Sequence, residues 1–285
     1  MKRLIVNADD FGLTSGVNRA IVELHHQGVL TSATLMARAA ETEEAIHLAL
    51  ETATLGVGCH IVLVDGDPVL PARRILWLAD PANGRFRPSL GGFLGSVYGR
   101  LRNRRRVLRD IQAEAYAQIS LLQSRGLRLT HIDTHKHTHM FPAVLRPVLR
   151  AARRAGISAV RNPYEPAWSI RATSNAPRLR KAQVQLLRTM ESTFHRIVRE
   201  EGFTTTEGAI GVLATGTLDR TTVTSLLSAL PDGVWELVTH PGYNDPTLAQ
   251  VKTRLRASRE IEMNALIGLH QDRNLQLIHY GQLRP

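Results

Sequence analysis

The chain has 285 residues, 43% of them hydrophobic and 21% charged, which suits one large α/β domain or two small ones. Lysine and arginine outnumber aspartate and glutamate by 36 to 25, and the net charge of +11 favours an anionic partner such as an acidic lipid surface, an anionic substrate or nucleic acid. A single cysteine, Cys59, excludes an internal disulfide and a cysteine-rich zinc site, and no stretch approaches the roughly 20 apolar residues that span a bilayer.

Short apolar runs alternate with helical patterns along the chain. LIVNA (4–8) reads as a buried strand, followed by a helix through GVNRAIVELHHQG that Gly28 closes. TSATLMA (31–37) is the next strand, 41–53 the next helix, and LGVGCHIVL (55–63) a third strand. Residues 64–99 read as a long loop, of the kind often tied to function. A helix over about 104–125 leads to LTHID (129–133), then to a helix at 142–156 and the strand-like ISAVR (157–161). Residues 177–200 are expected to be helical, GAIGVL (208–213) a strand and 219–230 a helix. WELVTH (235–240) is a strand, and a single long helix is expected from Asp245, with Asp245 as its cap and Pro246 in its first turn. LQLIHY (275–280) completes the series.

About eight such alternations, with no internal repeat or long linker, predict one α/β domain over 1–285 built on a predominantly parallel sheet. Closure into a TIM-barrel-like (β/α) barrel fits the length; a doubly wound sheet is the alternative. Insertions are expected at about 64–110 and 165–205. Barrels place their chemistry at the C-terminal strand ends. Asp9, Asp10, His60, His131–His135 and His240 all fall there.

The histidine-rich stretch THIDTHKHTHMFP (130–142) carries His131, Asp133, His135, His137 and His139 at alternating positions. An extended backbone turns alternate side chains to one face, so a strand ending near 135 presents one or two of them inward. Imidazole and carboxylate donors suit Zn, Fe, Mn or, with more oxygens, Mg. NADDFGLT offers two adjacent acids at the end of the first strand. They are either partners of a cation or a capping pair at a strand-to-helix turn.

NADDFGLT, GCH (58–60) and HIDTHKHTHMFP (131–142) together resemble the YdjC-like carbohydrate deacetylases, relatives of chitooligosaccharide deacetylase, in order and over most of the chain. The resemblance implies a distorted (β/α) barrel and removal of acetyl groups from N-acetylated amino sugars with one divalent ion, Mg or Zn first and Mn or Co next. By position it implies Asp10, His60 and His135 as metal ligands and Asp9 as general base. Where the chitooligosaccharide enzymes have three histidines in a row, this chain has His135-Lys136-His137. That form, with DGDPVLP (65–71), is similar to the hopanoid-associated HpnK branch, which implies an N-acetylglucosaminyl hopanoid as substrate.

Several further roles follow from position. His240 in VTHPGY is the candidate acid for the departing amine, or else a residue that fixes the turn before Pro241. Arg161 is expected to hold Asp9 ionised and oriented, or else to form an ordinary surface salt bridge. Asp133 is expected to orient a ligand histidine, and His131 to support the site or the substrate. RLRNRRRVLRD (100–110) has six arginines, and Leu186, Met190, Phe194 and Ile197 recur at helical spacing near further basic residues. These are a solvated face and a packing stripe, or a dock for an anionic membrane. Nucleic acid is not expected, given 5% aromatic residues and no binding motif. A cytoplasmic location, with contact at the inner face of the membrane, is the expectation, and a homodimer is left open.

Overall fold

The computed structural model describes residues 1–99, 103–269 and 275–283. Strand β1 (Lys2–Phe11) is its axis, and every residue from Leu4 to Phe11 is buried. A strand covered on both faces carries a continuous apolar run rather than an alternation, which is why LIVNA is legible in the sequence. β1 pairs in parallel with β2 (Ser32–Leu35) on one side and β6 (Gly233–Thr239) on the other. β7 (Leu275–Leu277) joins the first residues of β1. With β3 (Gly56–Ile61), β4 (Ile132–Thr134) and β5 (Gly208–Ile210), the order is β4-β3-β2-β1-β6-β5 and every pairing is parallel.

This curled sheet is the predicted barrel, and its distortion lies between β4 and β5. There the expected strand ISAVR forms only isolated bridges, Ile132 to Val160 and Ala159 to Thr204. The backbone N–H of Ala209 donating to Tyr164 O at 3.2 Å carries the wall on to β5. A regular ladder does not continue here because Pro163 and Pro166 lack backbone donors.

Helices cover the outside of the sheet. α1 (Ser15–His26) is capped by Thr14 and buries Val17, Ile21 and Leu24. α2 (Thr42–Glu51), α4 (Arg104–Ser124), α5 (Pro142–Arg154) and α9 (Arg220–Ser228) pack likewise, each with one buried stripe. Each fully buried Leu, Ile or Val side chain contributes roughly 1.5–3 kcal/mol.

Three expectations change. The supposed loop 64–99 contains α3 (Leu90–Tyr98), capped by Ser89; Gly91, Gly92 and Gly95 conceal its pattern in the sequence. The helix expected over 177–200 is two, α7 (Arg178–Leu187) and α8 (Glu191–Glu200), preceded by the short α6 (Ala167–Ala172). The long helix expected from Asp245 is also two, α10 (Pro246–Gln250) and α11 (Arg259–Leu266), and that break positions the site described below. The apolar stripe of 186–197 divides as well: Phe194 and Ile197 are core, while Leu186 is exposed. Of the basic run 100–110, residues 100–102 lie outside the described residues.

Among the described residues no helix is long and apolar enough to cross a membrane.

Candidate active site and metal centre

In a regular strand Asp9 and Asp10 would point to opposite faces. They do not, because β1 breaks register between Ala8 and Phe11 and Asp10 adopts a left-handed backbone at φ 65°. The bulge turns both carboxylates into one cavity at the C-terminal end of the sheet. A left-handed non-glycine residue costs about 1–3 kcal/mol and persists only where its surroundings impose it.

Asp10 Oδ1 lies 3.6 Å from His60 Nε2 and 3.7 Å from His135 Nδ1, and the two imidazole nitrogens are 3.3 Å apart. These three donor atoms lie close enough to share one ion. The His60 ring is oriented from behind: Nδ1 faces Asp133 Oδ1 at 2.8 Å and Thr34 Oγ1 at 3.2 Å, which turns Nε2 toward Asp10. Burial disfavours charge on both rings, yet Asp133 beside His60 raises that imidazole to about 9. For His135, burial outweighs the pull of the more distant Asp10 at 3.7 Å and, with His60 adding to it, brings the imidazole down to about 4.

Arginines hold both acids in place. Arg161 Nη1 and Nη2 donate to Asp9 Oδ2 and Oδ1 at 2.8 and 2.6 Å, and the same guanidinium reaches Asp133 and Glu236. Arg259 Nη2 donates to Asp10 Oδ2 at 2.5 Å. Burial opposes both carboxylate charges, but Arg161 holds Asp9, and Arg259 holds Asp10, well below the usual carboxylate range. A second grouping, Asp9 with His60 and Asp133, also brings three donors together. Its two carboxylates already share the Arg161 cation, so it is the poorer place for an ion.

The donor chemistry fits a divalent cation at Asp10, His60 and His135. Among the described residues, five buried carboxylates (Asp9, Asp10, Asp133, Glu236 and Glu262) face two buried arginines, Arg161 and Arg259, and two buried imidazoles, His60 and His240, so negative charge stays in excess even when both rings carry a proton. Negative charge in such excess cannot remain dry without further cations or protons.

His240 stands across the cavity, with Nε2 3.7 Å from Asp9 Oδ2 and Nδ1 3.6 Å from Glu262 Oε2. Its backbone N–H donates to the same Glu262 oxygen at 2.7 Å. Burial lowers the imidazole, but Glu262 outweighs that and raises it above its ordinary value. Gly242 in the HPGY turn lets Arg259 pass: a Cβ there would sit 3.0 Å from Arg259 Cδ.

The alternation holds as far as His135, near where the strand was expected to end, and the remaining histidines fall in the turn that follows. His131, Asp133 and His135 point inward at three successive depths. His131 is deepest, stacked on Tyr280 with centroids 3.7 Å apart, and away from the ion-binding donors. Beyond β4 the chain turns through Lys136 and His137, both left-handed at φ 55° and 50°. That sends His139 aside to Thr134 Oγ1 and Arg161 O, at 2.8 and 3.1 Å. His137 is partly buried, and its Nδ1 has no partner among the described residues. At the rim, Lys136 Nζ donates to Asp65 Oδ2 at 2.6 Å, and Asp65 is itself left-handed at φ 56°. An exposed bridge of this kind contributes about 0–1 kcal/mol, less than the backbone strain it accompanies. Beside it on the same face, a cavity of about 320 Å³ is lined by Arg38, Asp67–Ala72 and Asn83–Arg85.

Sequence reasoning missed Arg259, Glu262, Glu236 and Thr34. Glu236 carried a signal, as the one charge inside the apolar run VWELVT. Arg259 and Glu262, three apart and on the buried face of α11 with Leu266, were legible as charges at core positions once the helix start was known.

Fold and site together define a parallel α/β barrel carrying a buried acid–imidazole cluster able to hold a metal ion. The family model described as YdjC-like protein matches residues 3–274, and the chain belongs to that family. It is 34% identical to a carbohydrate deacetylase of Brevibacillus brevis, over 99% of both chains. It is 35% identical to a chitooligosaccharide deacetylase of Proteus mirabilis, over 54% of this chain and 56% of that one. Among solved structures, an Enterococcus faecalis protein described as a candidate for cellobiose-phosphate cleavage superposes with a TM-score of 0.78 at 25% identity, covering 100% and 99% of the two chains. The lactam utilization protein of Thermus thermophilus shares the fold, with a TM-score of 0.55 at 14% identity over 98% and 99%.

Proposed function

We propose that this chain is a divalent-metal-dependent N-deacetylase that hydrolyses the acetamide of an N-acetylated amino sugar. The observation that carries the reading is the meeting of Asp10 Oδ1, His60 Nε2 and His135 Nδ1 inside a buried site with excess negative charge. The relatives' names support the substrate class.

Asp10, His60 and His135 would hold the ion, leaving positions open as catalytic sites do. When bound, it supplies a Lewis acid for the acetyl carbonyl and lowers the pKa of a water. Asp9 takes the proton of the attacking water through Oδ2, whose one bond among the described residues is to Arg161. Arg161 keeps Asp9 ionised and aimed, and also makes it a weak base, so Asp9 serves only a water that is already acidified. His240, whose imidazole Glu262 raises above its ordinary value against the effect of burial, donates a proton to the departing nitrogen as the carbonyl C–N bond breaks. Acetate and a free sugar amine result. Asp133 orients His60, and His131 supports the floor beneath.

In the finer reading the sugar is lipid-linked, as in an N-acetylglucosaminyl hopanoid, and the enzyme works at the cytoplasmic face of an anionic membrane. The HKH form of the histidine motif supports it. So does α7, where Leu179 and Leu186 are 72% and 70% exposed beside Arg178 and Lys181.

The test is acetate release by metal-reconstituted wild type and Asp10→Ala from N-acetylglucosamine, chitobiose and an N-acetylglucosaminyl lipid in anionic vesicles. Release by wild type from at least one substrate is expected, with a loss on the order of 10³-fold in the variant. No release from any of the three overturns the function. Equal release by both proteins removes the role of Asp10, and indifference to the lipid removes the finer reading.

A further inference from the structure

Asp10 and His60 are each fixed by a second bond, to Arg259 and to Asp133. His135 is not. Among the described residues its imidazole has one hydrogen-bond contact, from Nδ1 to His60, with Asp10 facing the same nitrogen at 3.7 Å; its side chain is 23% exposed against 2% and 7% for His60 and Asp10, and it follows directly after the last residue of β4. A ligand histidine normally has its free ring nitrogen held by a partner that sets its orientation. Here the orientation has to come from the backbone.

The next residue supplies it. Lys136 is left-handed, and its ammonium is tied to Asp65 on the connection after β3. Asp65 is a firm anchor: its own N–H donates to Arg87 O at 2.9 Å, and Phe86 N–H donates to Gly66 O at 3.0 Å. All four left-handed non-glycine residues among those described, Asp10, Asp65, Lys136 and His137, lie in or beside the site. The bridge returns less than the strain it accompanies, so stability does not explain it.

We propose that Lys136, clamped to Asp65, is a positioning residue that fixes the turn after β4 so that His135 presents Nδ1 to the bound ion. The inference rests on the metal-site reading above. Because Asp65 stands two residues before Asp67 in the cavity lining, the same clamp sets the edge of that cavity against the site.

Co²⁺ is the probe, because its visible spectrum reports ligand geometry independently of turnover. Lys136→Met and Asp65→Asn are each expected to weaken Co²⁺ binding about tenfold and to alter the spectrum. The double variant should be no weaker than either single one, since both remove the same clamp. Lys136→Arg should bind as wild type does. Single variants with wild-type affinity and spectrum overturn the proposal, as do losses that multiply in the double variant or a wild type that takes up no Co²⁺. Metal-free melting midpoints lowered by more than about 10 °C in both single variants would show a general structural role and also overturn it. A wild type that binds Co²⁺ but releases no acetate sinks the deacetylase reading and leaves this one standing.

Discussion

Arg161 and Asp9, 152 positions apart in the chain, meet through two parallel hydrogen bonds at the centre of the barrel. The same guanidinium balances Asp133 and Glu236, and none of the four side chains has meaningful access to water. Arg161→Met would leave three buried carboxylates without their cation and should cost about 3–5 kcal/mol. Arg161→Lys should recover only part, because an ammonium cannot fork onto Asp9. Urea unfolding of the metal-free proteins measures it; a midpoint unmoved by Arg161→Met contradicts the balance described.

Metal removal gives a second outcome. An ion bound only by the folded state adds about 2.7 kcal/mol when present at a hundred times its dissociation constant. Wild type should therefore melt higher with Zn²⁺ or Mg²⁺ than after chelation. Asp10→Asn should show no such rise, because the ligand with the formal negative charge is gone. A rise of equal size in both proteins would place the ion elsewhere.

Gly58 matters for packing. A Cβ there would fall 2.5 Å from the His131 ring, which cannot retreat because it is stacked on Tyr280. Gly58→Ala should destabilise by about 1–3 kcal/mol and disturb His60 two residues along. Thermal melting and metal affinity should both fall; a variant as stable as wild type would mean the stack yields easily.

His139 makes stability depend on pH. Burial holds its imidazole at about 4 against 6.5 in the unfolded chain. The folded state thus binds the proton later, so this contribution is complete above pH 6.5 and is lost as the pH falls toward 4. The loss is on the order of 3 kcal/mol across that window. His135, also held at about 4, adds a contribution of the same sign in the metal-free protein. Denaturation of metal-free His139→Gln between pH 7 and 4 should show a shallower fall than wild type. Identical slopes would remove His139 from the account.

Much of the fold was legible because parallel strands covered on both faces must be apolar throughout. β1, β3 and β6 announce themselves as LIVNA, GCHI and ELVT, with chemistry-bearing residues at their ends. What failed depended on partners far away in sequence. ISAVR has strand composition but meets prolines and irregular neighbours. The helix expected from Asp245 breaks, so that α11 can aim Arg259 at Asp10 and Glu262 at His240.

By itself, the sequence determined which donors are available: two adjacent acids after one strand, one imidazole in another and a row of them after a third. Only the tertiary structure decided which of these meet. Two-residue periodicity would have sent Asp9 and Asp10 to opposite faces and would have lined up five side chains through His139. A bulge in β1 and left-handed turns at Asp10, Lys136 and His137 overrode it. Those local costs are met by contacts from remote parts of the chain, Arg161 and Arg259 above all, which no local pattern contains.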